Sequence, residues 1–182
     1  MSTVTTLVPV ATRPALLKTE MSEEEYLALG ATKHHEYYDG ICVVNPPTVR
    51  HQRAERTLLL LLDPVAPDGF EVLTEAGWRT GGSWFEPDLM LVPVGGPDDI
   101  VRDAPLLIVE ILSPSNRLDD IVTKRARYAE GGLLWYWIVD LDAPRLTVLQ
   151  LVDGIFIERQ ELTGAGPTVG PVQANIDPST LA

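Results

Sequence analysis

The sequence predicts an α/β fold: a mixed β-sheet flanked by helices, with an additional N-terminal helix and hairpin and a C-terminal hairpin. Three observations carry it. Apolar runs of strand length, bounded by Gly, Pro and Asp, alternate with segments of helical period. Two of the runs, PLLIVEIL and LLWYWIVD, are apolar on both faces, which suits central strands covered on two sides. The order along the chain is helix, hairpin, helix, several strands, helix and further strands, that of an α/β sandwich built on a mixed sheet.

Residues 1–20 have no clear period and carry Pro9 and Pro14, the pattern of an N-terminal arm that is either flexible or ordered only by docking on the body or a partner. Residues 21–182 then form one domain, as expected for 182 residues at roughly 150 per domain. Ser22 with Glu25 three residues on is a capping box, and Gly30 stops this first helix. Asp39-Gly40 between two β-prone runs predicts a hairpin, closed by Pro46-Pro47. A helix follows from Thr48 to Leu62 and is stopped by Asp63-Pro64. Its five consecutive leucines, Leu58 to Leu62, predict burial nearly all round. Strand-like runs come next at FEVL, WFEPDLMLVPV and PLLIVEIL. LDDIVTKRARYAEGG reads as a helix with acids in its first turn and Gly131-Gly132 at its end. At the α-helical period Leu118, Ile121, Val122, Ala126, Tyr128 and Ala129 share one arc, with Arg125 inside it and Lys124 at its edge. Ser113-Pro114-Ser115 with Asn116 predicts a turn and cap before that helix. RLTVLQLV and IFIERQEL make the C-terminal hairpin across Asp153-Gly154.

Composition limits the function. Fourteen Lys and Arg against 26 Asp and Glu give a net charge of −12, which argues against a nucleic-acid coating protein or a binder of anionic membranes. Cys42 is the single cysteine, which excludes intramolecular disulfides and Cys-based zinc sites and fits a cytoplasmic location. The longest apolar run, Leu133 to Val139, is far short of the ~20 residues of a membrane helix, so no membrane partner is expected.

The informative residues are carboxylates inside apolar strands, because an unpaired buried carboxylate is costly. Asp88 heads DLMLV, and Glu110 shares a strand face with Ile108 and Leu112. A basic partner, hydrogen bonds from a turn or a divalent cation could each compensate them. Two carboxylates from adjacent strands are a natural site for a hard cation.

FEPDLMLV, PLLIVEILSPSNRLDD and KRARYAEGGLLWYWIVD, in that order, resemble the signatures of the bacterial Uma family of restriction endonucleases, in the PD-(D/E)XK nuclease superfamily. The resemblance begins at MSEEEYLAL, takes in Glu36, Asp39-Gly40 and His51, and fades after Asp140. It implies a restriction-endonuclease-like sheet with Asp88 and Glu110 as catalytic metal ligands on adjacent strands. Leu112 stands where the superfamily lysine would be, and the resemblance moves that role to Lys124 on the next helix. Leu134-Trp135 departs from a more frequent Pro-Glu. Glu36 matches a further acidic ligand position, and the Ile111 carbonyl completes the expected set of Asp88, Glu110, Ile111 and Glu36. Oxygen donors favour Mg²⁺, with Mn²⁺ as its substitute.

The function expected on this basis is metal-dependent DNA endonuclease activity, with a metal-activated water hydrolysing the phosphodiester and Lys124 acting on that water. Residues 50–56 and 117–127 hold seven of the 14 basic residues and three of the 26 acids, a local patch for DNA. Arg50, His51, Arg53, Arg117, Arg125 and Arg127 are its candidate contacts. DNA is the expected partner, and a homodimer the candidate assembly. The alternative is a catalytically weak nuclease-fold module acting through protein binding, to which the net charge points. Each residue also has a plainer reading: Lys124 as a solvated lysine beside Asp120, His51 as a helix-start residue, Glu36 as a partner of the hairpin turn, and the arginines as a solvated face.

Overall fold

The computed structural model describes residues 17–30, 34–113 and 117–181; most of the predicted arm, and the turn and cap at Pro114, Ser115 and Asn116, lie outside the described residues. The last four residues of that arm form β1 (Leu17–Glu20). Helix α1 (Glu23–Ala28) has the predicted capping box, with the Ser22 side chain accepting from the Glu25 amide and Glu25 accepting from the Ser22 amide. β2 (His35–Tyr38) and β3 (Ile41–Val44) make the hairpin, whose Asp39 and Gly40 both take positive φ, 55° and 75°. That is the conformation a tight two-residue hairpin demands.

Helix α2 (Val49–Leu62) starts where the Thr48 side chain accepts from the His51 amide. Ala54, Leu58 and Leu62 are buried, but Leu60 is 63% exposed. The expected all-round burial of the leucine run is therefore corrected: only one face of α2 meets a sheet, and a run of five must put one member outward.

β4 (Phe70–Thr74), β5 (Trp78–Thr80), β6 (Ser83–Phe85) and β7 (Leu89–Pro93) follow. The single strand-like run WFEPDLMLVPV is thus two strands in different sheets, divided at Glu86-Pro87, because proline has no N–H for a ladder and restrains the residue before it. β8 (Leu107–Leu112) is buried along its whole length. The next segment opens with a π-helical turn, Asp119–Lys124, before α3 (Arg125–Glu130). The predicted apolar arc fails here, since Leu118 is 77% and Val122 62% exposed while Lys124 is buried at 3%. An i→i+5 turn shifts the register of side chains that an α-helical period assumes. β9 (Trp135–Asp140), β10 (Arg145–Val152) and β11 (Ile155–Leu162) follow, and β12 (Gly166–Pro167) pairs with β13 (Asn175–Ile176).

The mixed sheet has six strands in the order β11-β10-β9-β8-β7-β4, with β8 and β9 parallel and the other pairs antiparallel. The N-terminal hairpin joins β1, β5 and β6 in a second sheet of order β1-β3-β2-β6-β5. One face of the six-stranded sheet, with Leu89, Leu91, Val109, Ile111 and Val139, packs on α2. The opposite face, with Met90, Ile108, Leu112, Tyr136 and Ile138, packs on Tyr128 of α3 and on Tyr38, Trp78 and Phe85 of the second sheet. The functional side chains gather where the two sheets and the start of α2 meet. No helix among the described residues is long and apolar enough to cross a membrane.

Candidate active site

Asp88 stands one residue before Leu89, and Leu89 pairs with Val109, so Asp88 lies beside Glu110 at the end of the β7–β8 ladder. Its Oδ2 accepts from the Ile111 amide at 2.6 Å, which fixes the carboxylate on the strand. The His51 ring comes from the first turn of α2, with Nε2 3.1 Å from Asp88 Oδ2 and 3.1 Å from the Ile111 carbonyl. Its Nδ1 is buried and has no hydrogen-bond partner among the described residues.

A second group surrounds Lys124. The ammonium is 2.9 Å from Glu36 Oε1 on β2 and donates to Glu110 Oε1 at 3.1 Å. The Tyr128 hydroxyl, one turn further along the helix, donates to the same Glu110 oxygen at 2.6 Å. Glu36 Oε1 also accepts from the Glu86 amide at 3.0 Å, which ties β2 to the link that delivers Asp88.

A third group was not predicted from the sequence. His34, before β2, places Nδ1 3.7 Å from both Glu75 Oε1 and Glu86 Oε1, and its amide donates to Glu86 Oε2 at 2.9 Å. The ligating atoms of these three residues lie within 4.8 Å of one another, close enough for a metal ion. Members of all three groups, Asp88 and His51, Glu36, Glu110 and Lys124, and His34, Glu75 and Glu86, line one cleft of about 240 Å³.

A family model described as "putative restriction endonuclease", Uma2, matches residues 23–174. The chain belongs to the Uma2 family. A crystal structure described as a "putative nuclease belonging to DUF820", from Anabaena variabilis, has the same fold, with a TM-score of 0.73 at 18% identity over 88% of this chain and 97% of that one. No curated protein matches the sequence.

The electrostatics of this Uma2 cleft follow from burial and crowding of acids. Burial lowers the His51 pKa, but the Asp88 carboxylate, by charge and hydrogen bond, outweighs it together with Glu55 and the Ile111 carbonyl, so the net shift is upward. Burial, then the charge of Glu110, raises the Tyr128 phenol well above its ordinary value against the pull of Lys124, so it remains a donor. Glu55, one helical turn after His51, is pushed up to about 7 by burial and by the charges of Asp88 and Glu75.

Asp88, Glu110 and the Ile111 carbonyl are oxygen donors on neighbouring strands and could hold a hard divalent cation, whereas the acid-and-histidine group whose ligating atoms already converge within 4.8 Å, among the described residues, is His34, Glu75 and Glu86. Of the residues expected from the sequence, Asp88, Glu110, Lys124, Glu36, His51 and Arg50 line this one cleft. Leu112 lines it too, and Lys124 meets Glu110 from the following helix. The plainer reading of Glu36 as a partner of its own hairpin turn gives way to its contacts with Lys124 and Glu86. The arginines are spread out. Arg50 holds Asp142 at 2.7 Å and the Leu141 carbonyl at 2.6 Å at the cleft wall, and Arg53 is exposed on α2. Arg117 pairs with Asp140 at 2.6 Å, and Arg125 donates to the Phe156 carbonyl at 2.6 Å. Arg127 pairs with Asp39 and Glu130 and borders a different depression.

Sequence reasoning passed over Tyr128, Glu55, His34, Glu75 and Glu86. Glu55 did carry a signal, since it is an acid between Ala54 and Leu58 on the apolar side of a helix. The group at His34 carried none, because its members come from three separate loops.

Proposed function

We propose that this Uma2 chain is a metal-dependent DNA endonuclease that hydrolyses phosphodiester bonds with a metal-activated water. The observation that carries the reading is the lysine: Lys124 reaches Glu110 from the helix after β8, 3% exposed, in the cleft that Asp88 also lines. A buried ammonium among carboxylates, beside oxygen donors from two strands, is the apparatus that phosphoryl hydrolysis requires. Asp88, Glu110 and the Ile111 carbonyl would hold Mg²⁺ or Mn²⁺, which when bound lowers the pKa of a water and neutralises charge on the phosphate.

The chain's own groups do the rest. Lys124 orients the attacking water and offsets charge developing on the phosphate oxygens. Glu36 holds the lysine, and Tyr128 fixes the Glu110 oxygen that the lysine shares. Water oxygen bonds to phosphorus and gives up a proton to solvent, the P–O bond to the leaving sugar oxygen breaks, and that oxygen takes a proton from solvent, so the products are a phosphate monoester and a free hydroxyl. DNA enters past Arg50, which can exchange Asp142 for a phosphate, and past the exposed Arg53.

The test is a digestion screen on plasmid, single-stranded and branched DNA with Mg²⁺ and Mn²⁺, on wild type and Lys124→Gln at a temperature where both are folded. The reading expects metal-dependent cleavage by wild type and loss of most turnover, with cation binding kept, in Lys124→Gln. Equal cleavage by the two proteins would refute the role of the lysine.

A further inference from the structure

His34, Glu75 and Glu86 are residues of the cleft to which the proposed chemistry gives no task. They share no member with the donor set of Asp88, Glu110 and the Ile111 carbonyl. They come from three separate places in the chain: before β2, after β4 and in the link between β6 and β7. Their ligating atoms nevertheless lie within 4.8 Å of one another. His34 Nδ1 stands 3.7 Å from Glu75 Oε1 and 3.7 Å from Glu86 Oε1, so neither contact has the length of a hydrogen bond. Two of the three residues also hold a backbone conformation that side chains rarely adopt, with φ of 61° at His34 and 48° at Glu75. Asp39 and Asp153 have similar angles but stand in Asp-Gly hairpin turns, whereas neither His34 nor Glu75 precedes a glycine. Residues held in this way cluster at ligand clamps.

We propose that His34 Nδ1, Glu75 Oε1 and Glu86 Oε1 form a tetrahedral site for Zn²⁺, with water in the fourth position on the cleft side, and that this ion fastens together the three segments around Asp88. The proposal goes beyond the nuclease reading and does not depend on it. Donors in a tetrahedral site with bonds of about 2.0–2.1 Å stand about 3.3–3.4 Å apart, against about 3.0 Å for octahedral neighbours. Both separations from Nδ1 lie nearer the tetrahedral value, which a closure of about 0.3 Å per pair would reach. An imidazole nitrogen with two carboxylates suits Zn²⁺, whereas Mg²⁺ prefers six oxygens and keeps its waters.

The surroundings orient the donors. The His34 amide donates to Glu86 Oε2 at 2.9 Å, while Glu86 Oε1 is the oxygen nearer the ring, and ligating carboxylates are commonly tied by a second hydrogen bond in this way. Two half-buried carboxylates aimed at one point repel each other, and a divalent cation between them removes that repulsion. The same residues brace the main chain around Asp88. The Glu75 amide donates to the Asp88 carbonyl at 3.2 Å, and the Glu86 amide donates to Glu36 Oε1 at 3.0 Å. An ion on the two glutamate side chains would hold both attachments in register.

The measurement is visible absorption of Co²⁺, a spectroscopic substitute for Zn²⁺, on the full chain, beside calorimetric titration and thermal melts with Zn²⁺. Wild type should show the intense bands of four-coordinate Co²⁺, which Zn²⁺ displaces and excess Mg²⁺ does not. Asp88→Asn weakens the separate donor set on β7 and β8 and should keep the bands. His34→Gln and Glu86→Gln should each lose them and weaken Zn²⁺ binding by at least about 10²-fold. Zn²⁺ at about 100 times its Kd should raise the wild-type melting temperature by about 5–11 °C and move that of His34→Gln by less than about 2 °C. Bands that vanish in Asp88→Asn but persist in His34→Gln and Glu86→Gln place the ion at Asp88 and overturn the proposal. The faint bands of six-coordinate Co²⁺ overturn it too, as does a wild type that binds no Zn²⁺ at about 0.1 mM, which would leave His34 as a charged partner of the two glutamates. None of these results decides the cleavage of DNA, which the comparison of wild type with Lys124→Gln tests separately.

Discussion

Replacing Lys124 by methionine keeps side-chain volume and removes the charge between Glu36 and Glu110. In the metal-free protein the ammonium is the cation that these two carboxylates share, at 2.9 and 3.1 Å, with all three side chains buried. Without it two buried carboxylates face each other across a shared space, and breaking a buried ion group in this way costs about 3–5 kcal/mol. In a chain of this size each kcal/mol moves the melting temperature by about 2–4 °C, so the loss is about 6–20 °C. Glu110→Gln should behave differently. Lys124 then keeps Glu36, and Tyr128 can still donate to the amide oxygen, so the remaining pair is neutral and the cost stays below about 3 kcal/mol. Thermal melts of the two variants and wild type in chelator at pH 7 compare the two directly. A Lys124→Met protein that melts within about 2 °C of wild type, or a Glu110→Gln protein that loses more than it does, would refute the shared-cation account.

Glu55 makes stability depend on pH. Its folded pKa of about 7 lies above the ordinary 4.5, so the folded protein holds a proton that the unfolded chain has released. Stability therefore falls by about 2–3 kcal/mol as pH rises from about 4.5 to about 7, and Glu55→Gln should recover it at pH 8 and gain nothing at pH 4, as urea denaturation at the two values would reveal. Tyr128→Phe removes a fully buried hydroxyl that donates to Glu110 at 2.6 Å and should cost about 1–3 kcal/mol by the same assay, with an unchanged melt contradicting the bond. Leu58→Ala should cost about 2–5 kcal/mol, whereas Leu60→Lys should stay within about 0.5 kcal/mol of wild type, and equal losses would contradict the one-sided packing of α2.

Glu110 was legible as an anomaly because a carboxylate on a buried strand is costly. Glu110, between Val109 and Ile111 on an otherwise apolar strand, has to be compensated, and the cleft supplies Lys124 and Tyr128. Local turn chemistry was legible for the same kind of reason, as at Asp39-Gly40 and Asp153-Gly154, where all four residues take positive φ. The burial of Lys124 was not, because it depends on a π-helical turn that no α-helical period anticipates. Nor was the change of sheet at Glu86-Pro87, which lets one continuous apolar run serve two sheets and brings Glu86 to the Glu36 side of the cleft. His51 was legible as a polar residue at a helix start. Its pairing with Asp88 and Ile111 came only from the packing of α2 on the sheet.

The central claim is that Asp88 serves a cation that activates water on DNA, and Asp88→Asn tests it with least disturbance, because the asparagine oxygen can still accept from the Ile111 amide. The measurement is the initial rate of plasmid cleavage in Mn²⁺ and in Mg²⁺, by wild type and Asp88→Asn with matched melting temperatures. The account predicts cleavage by wild type that chelator abolishes and a rate lower by at least about 10²-fold in the variant. Cleavage that persists in chelator, or a folded Asp88→Asn protein as active as wild type, would contradict it.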